Sequence, residues 1–135
     1  MTTNGPGGTD PRIGSIAGGK YKILRLIGQG NMGSVYEGQN VAIGKRVALK
    51  FVHTGAIGDS TLARFHREAR AISAIDSAHI VQVFDTGETL EGEPFLVMEL
   101  LHGESLGAVL AREGKLPVPV AVRFGVQALR GLRRA

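Results

Sequence analysis

The stretch Ile27-Gly28-Gln29-Gly30-Asn31-Met32-Gly33-Ser34-Val35 constrains this chain more than any other. Three glycines stand at the spacing G-x-G-x-x-G, and Val35 follows two residues later. Glycine lets a backbone turn tightly and approach a ligand without a Cβ in the way. A run of exposed backbone N–H groups can then face phosphate oxygens. In a chain with 20 glycines the pattern alone also fits a plain hairpin loop, so its flanks decide.

Three kinds of phosphate turn compete for it. A Walker A loop needs G-x-x-x-x-G-K-[ST]; Gly28 and Gly33 fit the glycines, but Ser34-Val35 stands where Lys-Ser/Thr belongs. A dinucleotide fingerprint needs a helix straight after the glycines and an acid roughly 20 residues on. Here Ser34-Val35-Tyr36-Glu37 reads as strand, and the window from Val47 to His53 holds Lys50 and no acid. The third kind, G-x-G-x-x-G-x-V, joins two antiparallel strands over ATP phosphates and requires a strand-borne lysine in a V-A-I-K context. Val47-Ala48-Leu49-Lys50 meets that requirement.

On these motifs the chain, from about Tyr21 to its last residue, resembles the amino-terminal part of a bacterial eukaryotic-like serine/threonine protein kinase. The resemblance implies an α+β fold: a kinase small lobe of five antiparallel strands and one helix, then two helices of an incomplete large lobe. It implies three regions: a disordered tail over 1–19, an ATP-binding lobe over 20–101, and a hinge exit with large-lobe helices over 102–135.

The totals agree with a globular domain. The chain has 135 residues, 43% hydrophobic and 21% charged, which places it among folded rather than disordered sequences. It has no cysteine, so neither a disulfide frame nor a cysteine zinc site can form. The formal net charge is +4, but basic residues are scattered and aromatics are 5%, which argues against nucleic acid as a partner. No apolar run approaches the ~20 residues of a membrane span, and the first residues lack the pattern of a signal peptide. The default expectation is a cytoplasmic protein without a membrane segment.

Periodicity predicts the elements in order. Residues 1–19, rich in Gly, Thr, Pro and Asn, read as tail. Strands are expected over 21–27, 34–40, 46–52, 80–85 and 95–101. A helix capped by Asp59 or Ser60 should run to about Ile75, with Leu62, Phe65, Ala69, Ile72 and Ile75 on its apolar face. A short helix spans 104–112 before Gly114, and a last helix begins near Val118 after Pro117. That last helix is apolar nearly all round, a pattern that expects burial on several sides.

Lys50 and Ala48 share one face of their strand. The resemblance implies that Lys50 reaches the ATP phosphates and that Val35 and Ala48 cover the adenine. It implies Met98 as gatekeeper, with the Glu99 carbonyl and the Leu101 N–H bonding the adenine edge. Residues 27–35 would cover the phosphates. Glu68 interrupts the apolar face of its helix, and a carboxylate facing a core needs a cation; by resemblance that cation is Lys50, the bland reading being an exposed pair with Arg64. Ile72 and Val83 align with the hydrophobic spine. The turn Ser77-Ala78-His79 departs from the usual His-Pro-Asn-like sequence without consequence for this assignment.

The sequence contains neither H-R-D-x-x-x-x-N nor D-F-G. The catalytic aspartate and the magnesium ligands of the intact enzyme therefore have no counterpart here, and the chain alone is expected to transfer no phosphate. Two other readings stay open from the residues: a pseudokinase-like binding or regulatory module, and a nucleotide-binding redox domain, which Lys50 in place of an acid opposes.

Overall fold

A computed structural model describes residues 9–31, 33–53 and 59–135, together with the backbone of the helix start at Asp59. Alternation at period two sets the sheet. In β3 (Gly33–Asn40) Ser34, Tyr36, Gly38 and Asn40 are buried while Val35, Glu37 and Gln39 are half-buried. In β4 (Arg46–Val52) Val47, Leu49 and Phe51 face the core, leaving Ala48 and Lys50 on the other side. The preceding strand β2 (Tyr21–Gly30) pairs antiparallel with β3, and a two-residue strand β1 (Ile16–Ala17) pairs with β2. The strands β5 (Val83–Glu88) and β6 (Pro94–Met98) complete an order β1-β2-β3-β4-β6-β5.

Among the described residues the sheet thus has six strands, not five. The extra one lies in the segment expected to be a tail. Residues 9–19 pack on the sheet: Gly14 N–H donates to the Ile23 carbonyl at 2.7 Å, and Ile23 N–H donates to the Ser15 carbonyl at 2.9 Å. Backbone pairing with β2 and the ion pair of Arg12 with Glu93 outweigh the low local propensity of this glycine-rich sequence. Residues 1–8 of the expected tail lie outside the described residues.

The core is one cluster on the back of the sheet, with Ile23, Tyr36, Leu49, Phe51, Phe95 and Val97 at its centre. Phe95 lies so close to β5 that a Cβ on Gly87 would stand 2.5 Å from its ring. Strand β5 starts three residues later than its apolar content suggests. Ile80 and Val81 are spent in the turn that follows Ser77, whereas the polar run Asp85-Thr86-Gly87 is drawn into the ladder by β6. Strand β6 ends at Met98, because Glu99 N–H turns to the Gln82 carbonyl at 2.9 Å.

Tyr21 anchors β2 to β5 by donating its hydroxyl to Asp85 Oδ2 at 2.8 Å. Burial first, then the Asp85 carboxylate, pushes its phenol up to about 12. The fold needs the neutral phenol, so its contribution is whole below the unfolded value near ~10 and is lost as pH rises toward the folded value. Tyr21→Phe is expected to lower stability near neutrality by about 0.5–1.5 kcal/mol and to flatten the loss above about pH 10. Denaturant titrations on both sides of that pH check this. The alkaline loss that remains belongs to Tyr36, also raised by burial and by its hydrogen bond to Asp10.

Helix α1 (Asp59–Ser73) lies between β4 and β5 in the chain, two residues shorter than expected. The side chain of Asp59, one of its two expected caps, lies outside the described residues. Helix α2 (Leu106–Glu113) is capped by Ser105, whose hydroxyl accepts from Ala108 N–H, and by Gly114, whose N–H donates to the Leu110 carbonyl. Helix α3 (Val118–Arg134) touches the rest of the chain closely at Gly131, where a Cβ would stand 3.1 Å from the His79 carbonyl. Its apolar residues stay largely open, with Val118, Leu129 and Leu132 exposed. No helix among the described residues is long and apolar enough to cross a membrane.

Candidate functional site

Register places the expected site residues on one surface. Gly28 pairs with Val35, Val35 with Lys50, Lys50 with Leu96, and Leu96 with Thr86. The neighbouring row runs from Glu37 through Ala48 to Met98. Directly opposed residues share a face, and so do residues two apart along a strand. Val35, Ala48, Lys50 and Met98 therefore stand together on the front of the sheet, opposite the Tyr36, Leu49 and Phe51 of the core. Ala48 is buried, and Val35, Lys50 and Met98 are half-buried.

Above this face the glycine turn forms the tip of the β2–β3 hairpin. Gly30 pairs with Gly33 across it; Ile27, Gln29, Gly30 and Asn31 are exposed, and Met32 lies outside the described residues. The three glycines have different reasons to be glycine. A Cβ on Gly33 would stand 2.0 Å from the Phe51 carbonyl oxygen, so the fold itself requires that residue. A Cβ on Gly30 would meet nothing within 4 Å, and one on Gly28 only the Val35 Cβ at 3.9 Å. Neither has a positive φ. Among the described residues, nothing in the packing asks for glycine at 28 or 30. Ser34 is buried against the core side and points away from the turn's open space.

Beyond Met98 the chain runs free of the ladder, with Glu99 and Leu101 exposed. The Glu99 side chain accepts from Gln82 N–H at 3.3 Å, which leaves its backbone carbonyl unclaimed by that contact.

Glu68 does not meet Lys50. Its carboxylate accepts from Arg64 Nε at 2.9 Å, with 62% of its side chain exposed. The cause is how α1 docks. His66 Nδ1 is hydrogen-bonded to Thr86 Oγ1 at 2.8 Å, His66 Nε2 to Glu88 at 3.2 Å, and Ala69 is buried. Residues 66 and 68 lie roughly 200° apart around a helix, so seating His66 on β5 turns Glu68 outward. The helix is nevertheless on the right face, since Thr86 shares the row of Lys50 two strands away. A cavity of about 340 Å³ separates α1 from β4 and β6, lined by Val52, Leu62, Phe65, Pro94, Arg64 and Glu68. Ile72, expected in the hydrophobic spine, is 40% exposed, and Val83 is buried.

Several interactions around the site were not foreseen from sequence. Glu37 shares the front face and takes both Arg25 and Arg46; its place two residues after Val35 on the same strand was a signal for the first fact, though not for its partners. Asp10, Arg12 and Glu93 hold the back of the sheet. Among the described residues no three His, Asp or Glu side chains converge as a metal site.

Comparison with known proteins agrees with this arrangement. The protein kinase domain family matches residues 21–134. The chain is 40% identical over 121 residues to the probable serine/threonine-protein kinase pknA2 of Bifidobacterium longum, covering 87% of this chain and 16% of that protein. It is 38% identical over 130 residues to the serine/threonine-protein kinase PknA of Mycobacterium tuberculosis, covering 93% of this chain and 30% of that one. The crystal structure of a single-residue mutant of the Mycobacterium tuberculosis PknI kinase domain superposes with a TM-score of 0.81 at 26% identity, over 93% of this chain and 51% of its own. The chain thus spans less than a third of these two curated relatives and about half of a solved kinase domain. With the front face, the glycine hairpin and the strand-borne lysine in register, the chain belongs to the protein kinase domain family.

Proposed function

We propose that this chain supplies the ATP-binding half of a serine/threonine protein kinase acting in the cytoplasm. The observation that carries the reading is the unclaimed room at Gly28 and Gly30, over a face bearing Lys50. Glycine kept where no protein atom needs it is room for a ligand. Backbone N–H groups of residues 28–35 would face the phosphates, and Lys50 would neutralise their charge. Val35, Ala48 and Met98 would enclose the adenine, whose edge would bond the Glu99 carbonyl and the Leu101 N–H. The cavity beneath α1 leaves space for the helix to move and bring Glu68 to Lys50. That exchange would replace the exposed Arg64 pair, worth only a few tenths of a kcal/mol.

Magnesium comes with ATP in the intact enzyme, where it neutralises phosphate charge. This chain's own contribution to the site is the cationic Lys50 and the steric opening of the turn. The intact enzyme would move the γ-phosphoryl group of ATP to a protein Ser or Thr hydroxyl. The relatives named as serine/threonine kinases favour this reading over a binding-only module.

Calorimetry of the chain with ATP is expected to show binding that Lys50→Met weakens by about tenfold or more, the scale of one charge-assisted contact. The circular dichroism of that variant should be unchanged, because Lys50 lies outside the core cluster. Binding indifferent to Lys50→Met, or preference for a nicotinamide dinucleotide, would overturn the assignment. Labelled ATP should give no transfer to protein from the chain alone; robust transfer lost in Lys50→Met would refute that expectation.

A further inference from the structure

We propose that residues 9–17 form a positioning clasp for the nucleotide face, in which Asp10 and Arg12 act through Tyr36 and Phe51 on the strands that carry Val35 and Lys50. The proposal rests on the reading of that face as the ATP site. The family model matches from residue 21, so the clasp lies upstream of the span that it describes.

The clasp is held by side chains as well as by backbone. Arg12 Nη2 donates to both carboxylate oxygens of Glu93, at 2.6 and 2.7 Å. Both partners are half-buried, at 30% and 25% side-chain exposure, so this pair is less screened than the exposed ones. The same guanidinium lies 4.7 Å from the Phe51 ring centroid and 5.9 Å from that of Tyr36. Asp10 accepts the Tyr36 hydroxyl through Oδ2 and the Arg12 N–H through Oδ1. One short segment therefore grips β3 at Tyr36, β4 at Phe51 and the β5–β6 turn at Glu93.

Its grip falls directly behind the front-face residues. Successive strand residues point to opposite faces, so Tyr36 is backed onto Val35 and Phe51 onto Lys50. Val35 and Lys50 are themselves opposed in the ladder. Fixing the two aromatic rings fixes the backbone from which the front-face side chains spring. An edge strand with no such role would support β2, the strand it pairs with, and have no particular hold on the Val35–Lys50 pair.

The test separates positioning from plain support. In Arg12→Ala, amide hydrogen exchange is expected to speed up about tenfold at residues 35–37 and 49–51 and to change little at residues 95–97. The affinity for a fluorescent ATP analogue should fall about five- to tenfold while far-UV circular dichroism shows a folded chain. Glu93→Gln, which keeps shape and loses charge, should give the same pattern more weakly. Arg12→Ala/Glu93→Ala should be no worse than Arg12→Ala alone, since the Glu93 pair is already lost there. Exchange raised evenly over the sheet, with affinity within about twofold of the original chain, would overturn the clasp. If the original chain binds no ATP analogue, the nucleotide reading fails, and the exchange pattern still decides whether the clasp acts on β3 and β4.

Discussion

Phe51→Ala is expected to lower stability by about 3–5 kcal/mol, the range for removing a fully buried phenyl ring. Phe51 is 0% exposed and is the hub of the aromatic core. Its ring meets Tyr36 edge-on with centroids 5.6 Å apart, and Phe95 at 5.4 Å. Arg12 covers its outer side. Edge-to-face pairs add roughly 0.5–1.5 kcal/mol each beyond the area buried. The cavity left behind could not close easily, because its walls are the Tyr36 and Phe95 rings on separate strands and Arg12 of the clasp. A domain stable by about 5–15 kcal/mol would lose a large share of its folded population. Phe51→Leu, which keeps most of the volume, should cost much less. The measurement is the urea midpoint of each variant by circular dichroism. A Phe51→Ala midpoint close to that of the original chain would mean that the core does not lie on this face, and the opposite placement of Lys50 would fall with it.

That dependence of the front face on the back explains what could be read from the letters. The third and fourth strands were legible because Tyr36, Val47, Leu49 and Phe51 repeat at period two within a few residues. The short second helix was legible because Gly114 marks its end by local chemistry, while its start, expected at 104, falls at Leu106 after the Ser105 cap. The clasp was not legible. Its composition argues for a tail, and its decisive contact joins Arg12 to Glu93, 81 residues away. Residues 86–88 were left out of the expected strand for a related reason, since what holds them there is pairing with Leu96, Phe95 and Pro94 of β6. At Glu68 the residue type was informative and the partner was not. Arg64 lies one helical turn away on the same surface, while the distance to Lys50 is set by how His66 seats the helix on Thr86. Local pattern carries strand and cap, and long-range docking carries the ion pairs.

The glycine turn yields the sharpest contrast between fold and function. Gly33→Ala is expected to be disruptive, by about 2–4 kcal/mol where the strand holds, adding backbone strain to overpacking. Its φ is 154° and its absent Cβ would lie 2.0 Å from the Phe51 carbonyl oxygen and 3.1 Å from the carbon behind it. Those atoms sit in the paired backbone of β4, where Gly33 opposes Val52, so the neighbour cannot yield cheaply. The alternative to that cost is opening of the hairpin tip, visible as faster amide exchange at the end of the β3–β4 ladder. Gly30→Ala should behave in the opposite way. Its φ suits alanine and its surroundings are open, so stability should stay level or rise by about 0.4–1 kcal/mol through a less flexible unfolded chain. ATP affinity should nevertheless drop by about tenfold or more, because the added methyl group takes the room reserved for phosphate oxygens. Gly28→Ala should follow Gly30→Ala, somewhat more weakly in stability because Val35 is at 3.9 Å. Thermal melts and ATP calorimetry on the three variants separate the two demands. Should Gly30→Ala bind ATP as the original chain does, the open space at the hairpin tip has some other cause, and the nucleotide assignment loses the observation on which it stands.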